Sequence, residues 1–393
     1  MSEYLNALPC GPVAARASGI EPFHVMELLT RAHQLEAEGR DIIHMEVGEP
    51  DFPTPAPVVE AACRALENGR VFYTPAAGLT KLREAISGHY ARRFGVDVEP
   101  ERIIITAGAS AALMLAVAAL TEAGQEWLLP DPGYPCNRVF VRAFEGVPRA
   151  LHVGPETDFQ PTPVQVEQSW RQNTRGVIVA SPSNPTGTLI TRDALAGILE
   201  CCRARRGALI VDEIYQGLTY GTEPWSALAL GEDLFVINSF SKYFGMTGWR
   251  LGWLVAPPAY VREIEKLAQH FYISPSTPAQ HAALAAFDAG NIEILEDRRK
   301  ALEERRDVLL AGLRSLGFSV PAVPQGAFYV YADVSRLADD SFAFAHRLLE
   351  EAGVAATPGL DFDTLTPQRW LRFAYTTDVA RIAEALERLR KIL

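Results

Sequence analysis

The run Ser239-Phe240-Ser241-Lys242-Tyr243-Phe244-Gly245-Met246-Thr247-Gly248-Trp249-Arg250 sets one amine among small hydroxyls, with a guanidinium eight residues further on. A lysine so placed can form an imine with an aldehyde cofactor while its neighbours hold that cofactor's phosphate. Desolvation and a second cation nearby both disfavour the ammonium form, and that is how a lysine becomes a reactive amine. Gly108-Ala109-Ser110 follows the apolar run Ile103-Ile104-Ile105 and opens a helix. Backbone N–H groups at such a helix start point at an anion, although three small residues alone are a weak signal. Taken singly, Asp212 reads as a helix N-cap and Asn184, before Pro185, as a turn residue.

These groups need elements to hold them. Residues 1–22 carry Pro9, Pro12 and Pro22 with little periodicity and read as an extended arm. A helix is expected from Phe23 to Gly39, then a strand from Ile42 to Gly48 and the proline-rich turn Glu49 to Pro55. Short apolar runs follow, each leading into a polar turn: Ile103–Ile105, Trp127–Leu129, Val177–Ala180, Ala208–Val211 and Leu234–Ile237. Continuous apolar strands bracketed by helices indicate a mostly parallel sheet covered on both faces, an α/β fold. Nearly every group of interest lies just past the carboxyl end of such a strand, where open α/β sheets bind ligands. Beyond about residue 290 the pattern changes. Glu293 to Gly317 forms a long charged helix with Leu295, Leu302, Leu309 and Leu316 on one stripe, a solvated opposite face and Glu296/Lys300 as an i,i+4 pair. Strands at Ala327–Ala332 and Leu371–Ala374 and a helix carrying Val379, Ile382, Leu386 and Leu389 complete a smaller α+β unit. The expected division is 1–45 for the arm and helix that join the small domain, 46–290 for the large domain and 291–393 for the small one.

The chain has 393 residues, 48% hydrophobic and 22% charged, with a net charge of −11. That balance disfavours a general binder of nucleic-acid backbone or anionic membrane. Five cysteines (Cys10, Cys63, Cys136, Cys201 and Cys202) show no metal-ligand spacing and read as reduced intracellular thiols, with no metal expected. The most apolar run, Ala107 to Leu120, is 14 residues long and too short to span a bilayer. No signal-peptide pattern opens the chain, and a cytoplasmic protein is expected.

With these residues in view, the chain resembles the class I/II aminotransferases of fold type I, which depend on pyridoxal phosphate (PLP). The likeness runs from Gly48 to Arg372 with seven motifs in the family's order. It implies a seven-stranded type of large-domain sheet and assigns residues as follows. Lys242 carries the cofactor as an imine. Asp212 partners the pyridinium nitrogen, and Tyr215 and Asn184 reach the 3′-oxygen. Gly108, Ala109, Ser110, Ser239 and Arg250 hold the phosphate, and Tyr134 stacks on the ring. Tyr73 reaches the phosphate site of the other subunit in a homodimer. Arg372, with Asn184, takes the substrate α-carboxylate, a role that suits a planar fork. Gly48 and the run Gly326-Ala327-Phe328-Tyr329 resemble the substrate-side lining, and Ile20 adds an apolar wall.

The resemblance implies ping-pong transamination between an L-amino acid and a 2-oxo acid, with pyridoxamine phosphate as the half-reaction form. Neutral donors, aliphatic or aromatic, are expected to be favoured. Aspartate-preferring relatives place a lysine where this chain has Ser110, and Gln269 to Thr277 offers His270 but no arginine. The stretch Pro358-Gly359-Leu360-Asp361-Phe362 departs from the family's pattern at Leu360 and Asp363, which puts the contour of the site rim in question. A carbon–sulfur β-lyase on the same fold is the alternative, and a PLP-sensing regulator domain a remote one.

Overall fold

The computed structural model describes residues 13–69 and 71–393, so Pro9, Cys10, Pro12 and the first half of the expected arm lie outside the described residues. Twelve strands occur in the order β1 (Ile43–His44), β2 (Ile103–Thr106), β3 (Glu126–Asp131), β4 (Val147–His152), β5 (Thr174–Ala180), β6 (Ala208–Asp212), β7 (Phe235–Ser239), β8 (Gly252–Val255), β9 (Tyr329–Asp333), β10 (Val354–Ala355), β11 (Thr357–Pro358) and β12 (Trp370–Ala374). Seven of them form one sheet in the order β2-β8-β7-β6-β5-β3-β4. All its pairings are parallel except those of β8, which runs antiparallel to both β2 and β7. Strand residues alternate between two cores. Leu128, Val177, Val179, Leu209 and Val211 face one, while Trp127, Leu129, Ile178, Ile210 and Phe235 face the other. Burial on both faces is the physical reason these strands are apolar without interruption.

Helices α1 (His24–Ala37) and α2 (Gly108–Leu120) bear on the site, while α3 (Ala289–Ser315) and α4 (Val379–Arg390) pack on each other in the C-terminal part of the chain. α2 lies against the large sheet and is buried almost all round, because alanine and leucine fill most of its positions. The second, antiparallel sheet has the order β11-β12-β9. β1 pairs with β10, Ile43 opposite Val354, so the N-terminal segment is stitched to the C-terminal part of the chain.

Several expectations need correction. The strand expected over Ile42–Gly48 shrinks to Ile43–His44, because the carbonyls of Glu46 and Gly48 accept side-chain bonds from Arg372 and Lys242 rather than extending a ladder. β4 and β8 have no counterpart in the sequence reading. β4 is an edge strand with mostly uncovered side chains, and β8 comes directly after the lysine loop. On α3 the pair Glu296/Lys300 does not form. Lys300 bonds Asp297 instead, and Glu296 takes Arg93, Arg299 and the Tyr243 hydroxyl. That charged face is therefore only partly solvated, and Arg305, 6% exposed, makes a two-pronged pair with Asp51 at 2.7 and 3.1 Å. No helix among the described residues is long and apolar enough to cross a membrane.

Candidate active site

A cavity of about 300 Å³ opens at the carboxyl ends of β5 and β6, roofed by residues from the second sheet and by the start of α1. Its floor is set by strand geometry. Asp212 is the last residue of β6, and Lys242 follows β7 by three residues, so both are carried to the same rim.

The Lys242 amine, inside the cavity, donates to the Gly48 carbonyl at 2.6 Å and lies 5.6 Å from the centre of the Phe328 ring. Burial lowers its pKa to about 8, helped by the charges of Arg372 and Arg250 and opposed by Glu49. Among the described residues, the Asp212 carboxylate accepts one hydrogen bond, from the Ile214 N–H at 3.0 Å. Burial pushes Asp212 up to about 6, and that single N–H works against the shift. A buried carboxylate so thinly bonded would gain from a cationic N–H donor. The Tyr215 hydroxyl shares a hydrogen bond of 2.9 Å with that of Tyr329, and burial holds Tyr215 well above its ordinary range. Tyr134 lines the same cavity and is likewise pushed up by burial.

Arg372 lines the same cavity. It donates to Asn184 Oδ1 at 2.9 Å, to the Glu46 carbonyl at 2.5 Å and to Thr357 Oγ1 at 3.1 Å. Its guanidinium lies 4.3 Å from the centre of the Tyr329 ring and 4.7 Å from that of Phe362. Its Nε is buried with no hydrogen-bond partner among the described residues. An orphaned donor on a guanidinium fixed by three other bonds is what an incoming carboxylate can use.

At the opposite end, α2 begins with no side-chain cap, which leaves its first N–H groups uncommitted. Gly108 has φ +82°, and a Cβ there would come within 2.6 Å of Arg250 Nη2. The close approach of this helix start to a guanidinium makes an anion cradle. Arg250 also adopts a left-handed backbone, φ +53°, and donates to the Thr247 carbonyl at 3.0 Å.

The cradle, the thinly bonded carboxylate, the desolvated amine and the orphaned guanidinium nitrogen suit a group with a phosphate, a protonated ring nitrogen and an aldehyde. The residues therefore fit PLP.

Not every expected site residue meets in the cavity. Gly48, Ala109, Ser110, Tyr134, Asn184, Asp212, Tyr215, Lys242 and Arg372 all line it. Ser239 stands one step behind, its hydroxyl donating to the Leu251 carbonyl at 3.0 Å, and it is Ser241 Oγ that receives Arg250, at 3.4 Å. Ile20 is exposed and does not line the cavity; Phe23, Val25 and Met26 form the apolar wall there instead. Tyr73 is 82% exposed and lies outside the cavity of its own chain. Sequence reasoning missed the wall residues and gave no role to Asp361, which also lines the cavity. The available signals were the i,i+3 spacing of Phe23 and Met26 and the polar Asp361 between Leu360 and Phe362.

The profile of the family described as aminotransferase class I and II matches residues 40–389. The valine–pyruvate aminotransferase of Mycobacterium tuberculosis is 40% identical over 96% of this chain and 97% of its own length. The aspartate aminotransferase of Geobacillus stearothermophilus is 34% identical over 97% and 98%. Among solved structures, an aminotransferase from M. tuberculosis superposes with a TM-score of 0.94 at 39% identity, over 97% of this chain and 98% of that one. The aspartate aminotransferase of Thermus thermophilus, solved with maleate, does so with a TM-score of 0.91 at 35% identity, over 97% and 99%.

Proposed function

The chain belongs to the class I and II aminotransferases, a PLP-dependent family, and from that premise we propose that it transaminates neutral amino acids in preference to acidic ones. The observation that carries this reading is the charge of the cavity lining. Among the described residues its cations are Lys242 and Arg372, one for the cofactor and one for the α-carboxylate. None of the described lining residues remains for a second carboxylate, and burying an unpaired charge is costly. The side-chain region meets Phe23, Val25, Met26 and Leu113 instead. The relative named for valine and pyruvate points the same way, toward an aliphatic donor and a small 2-oxo acid.

In this reading the cofactor is held by Asp212, Tyr215, Asn184, Tyr134, Arg250 and the start of α2, and when bound it supplies an electron sink for the pair released at the substrate α-carbon. Arg372 fixes the donor by its α-carboxylate. Lys242 Nζ would take the α-proton of the donor and hold it for return. Desolvation prepares it, because an amine at about 8 is neutral in roughly a tenth of molecules at pH 7, far more than an ordinary lysine. Asp212 holds the ring nitrogen's proton. Phe23 and Met26 offer the donor's side chain an apolar wall.

The same reading makes residues 46–290 the large domain and 291–393 the small one, with 1–45 joined to the latter. The pairing of β1 with β10 supports that division. It also makes the working unit a dimer in the cytoplasm. Val71, Phe72 and Tyr73 form an exposed apolar run, 50%, 79% and 82% accessible, of the kind a second copy covers.

Half-reaction rates followed by cofactor absorbance test the donor class. Valine, leucine or phenylalanine should each exceed aspartate in kcat/KM. A value for aspartate well above all three refutes it.

A further inference from the structure

Asp361 closes the short turn Gly359–Asp361 and is 6% exposed. Its two carboxylate oxygens each accept one backbone N–H from the start of α1, Oδ1 from His24 at 2.7 Å and Oδ2 from Val25 at 2.9 Å. The residue preceding the helix, Phe23, supplies no side-chain cap of its own. A residue near the far end of the chain thus fixes the helix whose first turn puts Phe23, Val25 and Met26 on the cavity wall.

The next residue on that turn, Phe362, sets its ring against the Arg372 guanidinium. The wall that meets a donor's side chain and the arginine that meets its α-carboxylate are therefore held by adjacent residues. Arg138 braces the turn from outside, donating to the carbonyls of Asp361 and Phe362 at 3.1 and 3.4 Å, and does not line the cavity.

Charge adds to position. Asp361 belongs to the cavity lining, with each carboxylate oxygen bonded to a backbone N–H. Like charges in a poorly solvated site repel strongly.

We propose that Asp361 is a specificity-determining residue, whose paired bonds to His24 and Val25 hold the apolar wall in place and whose charge turns acidic donors away. This rests on the reading of a site for neutral donors.

The test uses the holoenzyme and the variants Asp361→Ala and Asp361→Asn. Half-reactions with alanine, leucine, phenylalanine and aspartate are combined with hydrogen exchange of the amides at the start of α1. In Asp361→Ala the loss of kcat/KM for leucine and phenylalanine should exceed that for alanine at least tenfold and fall mainly on KM. The His24 and Val25 amides should exchange faster. Asp361→Asn keeps one acceptor oxygen, so it should restore part of the leucine activity while raising the aspartate-to-leucine ratio at least fivefold over wild type. Equal losses for alanine and leucine with unchanged exchange would overturn the tether, and an unchanged aspartate-to-leucine ratio in Asp361→Asn would overturn the charge effect. If Asp361→Ala does not fold, the Asn variant decides both questions by the same ratios. A wild-type preference for aspartate would sink the neutral-donor reading and the charge effect with it, while the large-to-small ratio in the variants still judges the tether.

Discussion

The Lys242 amine and the Asp212 carboxylate are both moved toward neutrality by burial, in opposite pKa directions. For Lys242 the sign is simple: with its pKa lowered to about 8, the amine is neutral above that pH and charged below it. Competitive trace acetylation of cofactor-free protein, read peptide by peptide, should give a labelling rate for Lys242 that climbs with pH and levels off above about 8. A midpoint near the ordinary lysine value of about 10.5 would show that the loop leaves the amine in water. The chemistry of this lysine is legible in sequence because hydroxyls, glycines and an arginine crowd one short stretch. Asp361 is not legible in that way. Its partners are backbone N–H groups more than three hundred residues away, and nothing in its neighbours announces them.

Among the elements, buried strands are readable, because burial on both faces removes polar residues from four or more consecutive positions. Two-residue strands such as β1 and β10 carry no period at all, and β4 hides behind Pro148 and its exposed side chains. The start of α2 offers a direct test of how an element makes a site. Gly108→Ala forces a Cβ into a left-handed backbone and against Arg250. We expect the variant to fold, because the strain is confined to a loop-to-helix junction, and to bind the cofactor at least tenfold more weakly. Fluorescence titration of the cofactor-free variant measures it, and unchanged affinity would mean that the helix start does not cradle the phosphate. The charges of α3 illustrate the opposite case, where helical spacing suggests one ion pair and tertiary packing selects others. Arg299 finds Glu296 and Glu303 on its own helix but also the Thr219 carbonyl, which no spacing rule predicts.

For the whole molecule, the proposed dimer turns on a pair of exposed aromatic side chains. Tyr73 and Phe72 are exposed on a chain whose own cavity they do not line. If a second copy uses Tyr73 at the phosphate site, Tyr73→Phe and Arg250→Ala damage the same hybrid site from different chains. Mixing the two weak variants under conditions that exchange subunits should then restore activity well above either alone, since one of the two hybrid sites carries neither lesion. Activity that stays at the mean of the two, or an active monomer in sedimentation at low concentration, would argue for a site complete within one chain. The proposed domain plan rests in sequence on strand-rich and helix-rich stretches, whereas the pairing of the N-terminal segment with the C-terminal part leaves no sequence signature.

That pairing has a consequence for how the molecule is made. Thr357 donates to the Glu46 carbonyl, and the two residues stand 311 positions apart. At roughly 5–20 residues per second of synthesis, the segment around Ile43 and Met45 waits on the order of 15–60 s before its partner leaves the ribosome. Throughout that interval, residues that end with 2% exposure or less have no sheet to enter. The large sheet, whose strands all lie between Ile103 and Val255, is complete long before then. In a nascent chain of this protein, the large sheet can therefore be complete while the apolar residues around Ile43 still lack the strand they pair with.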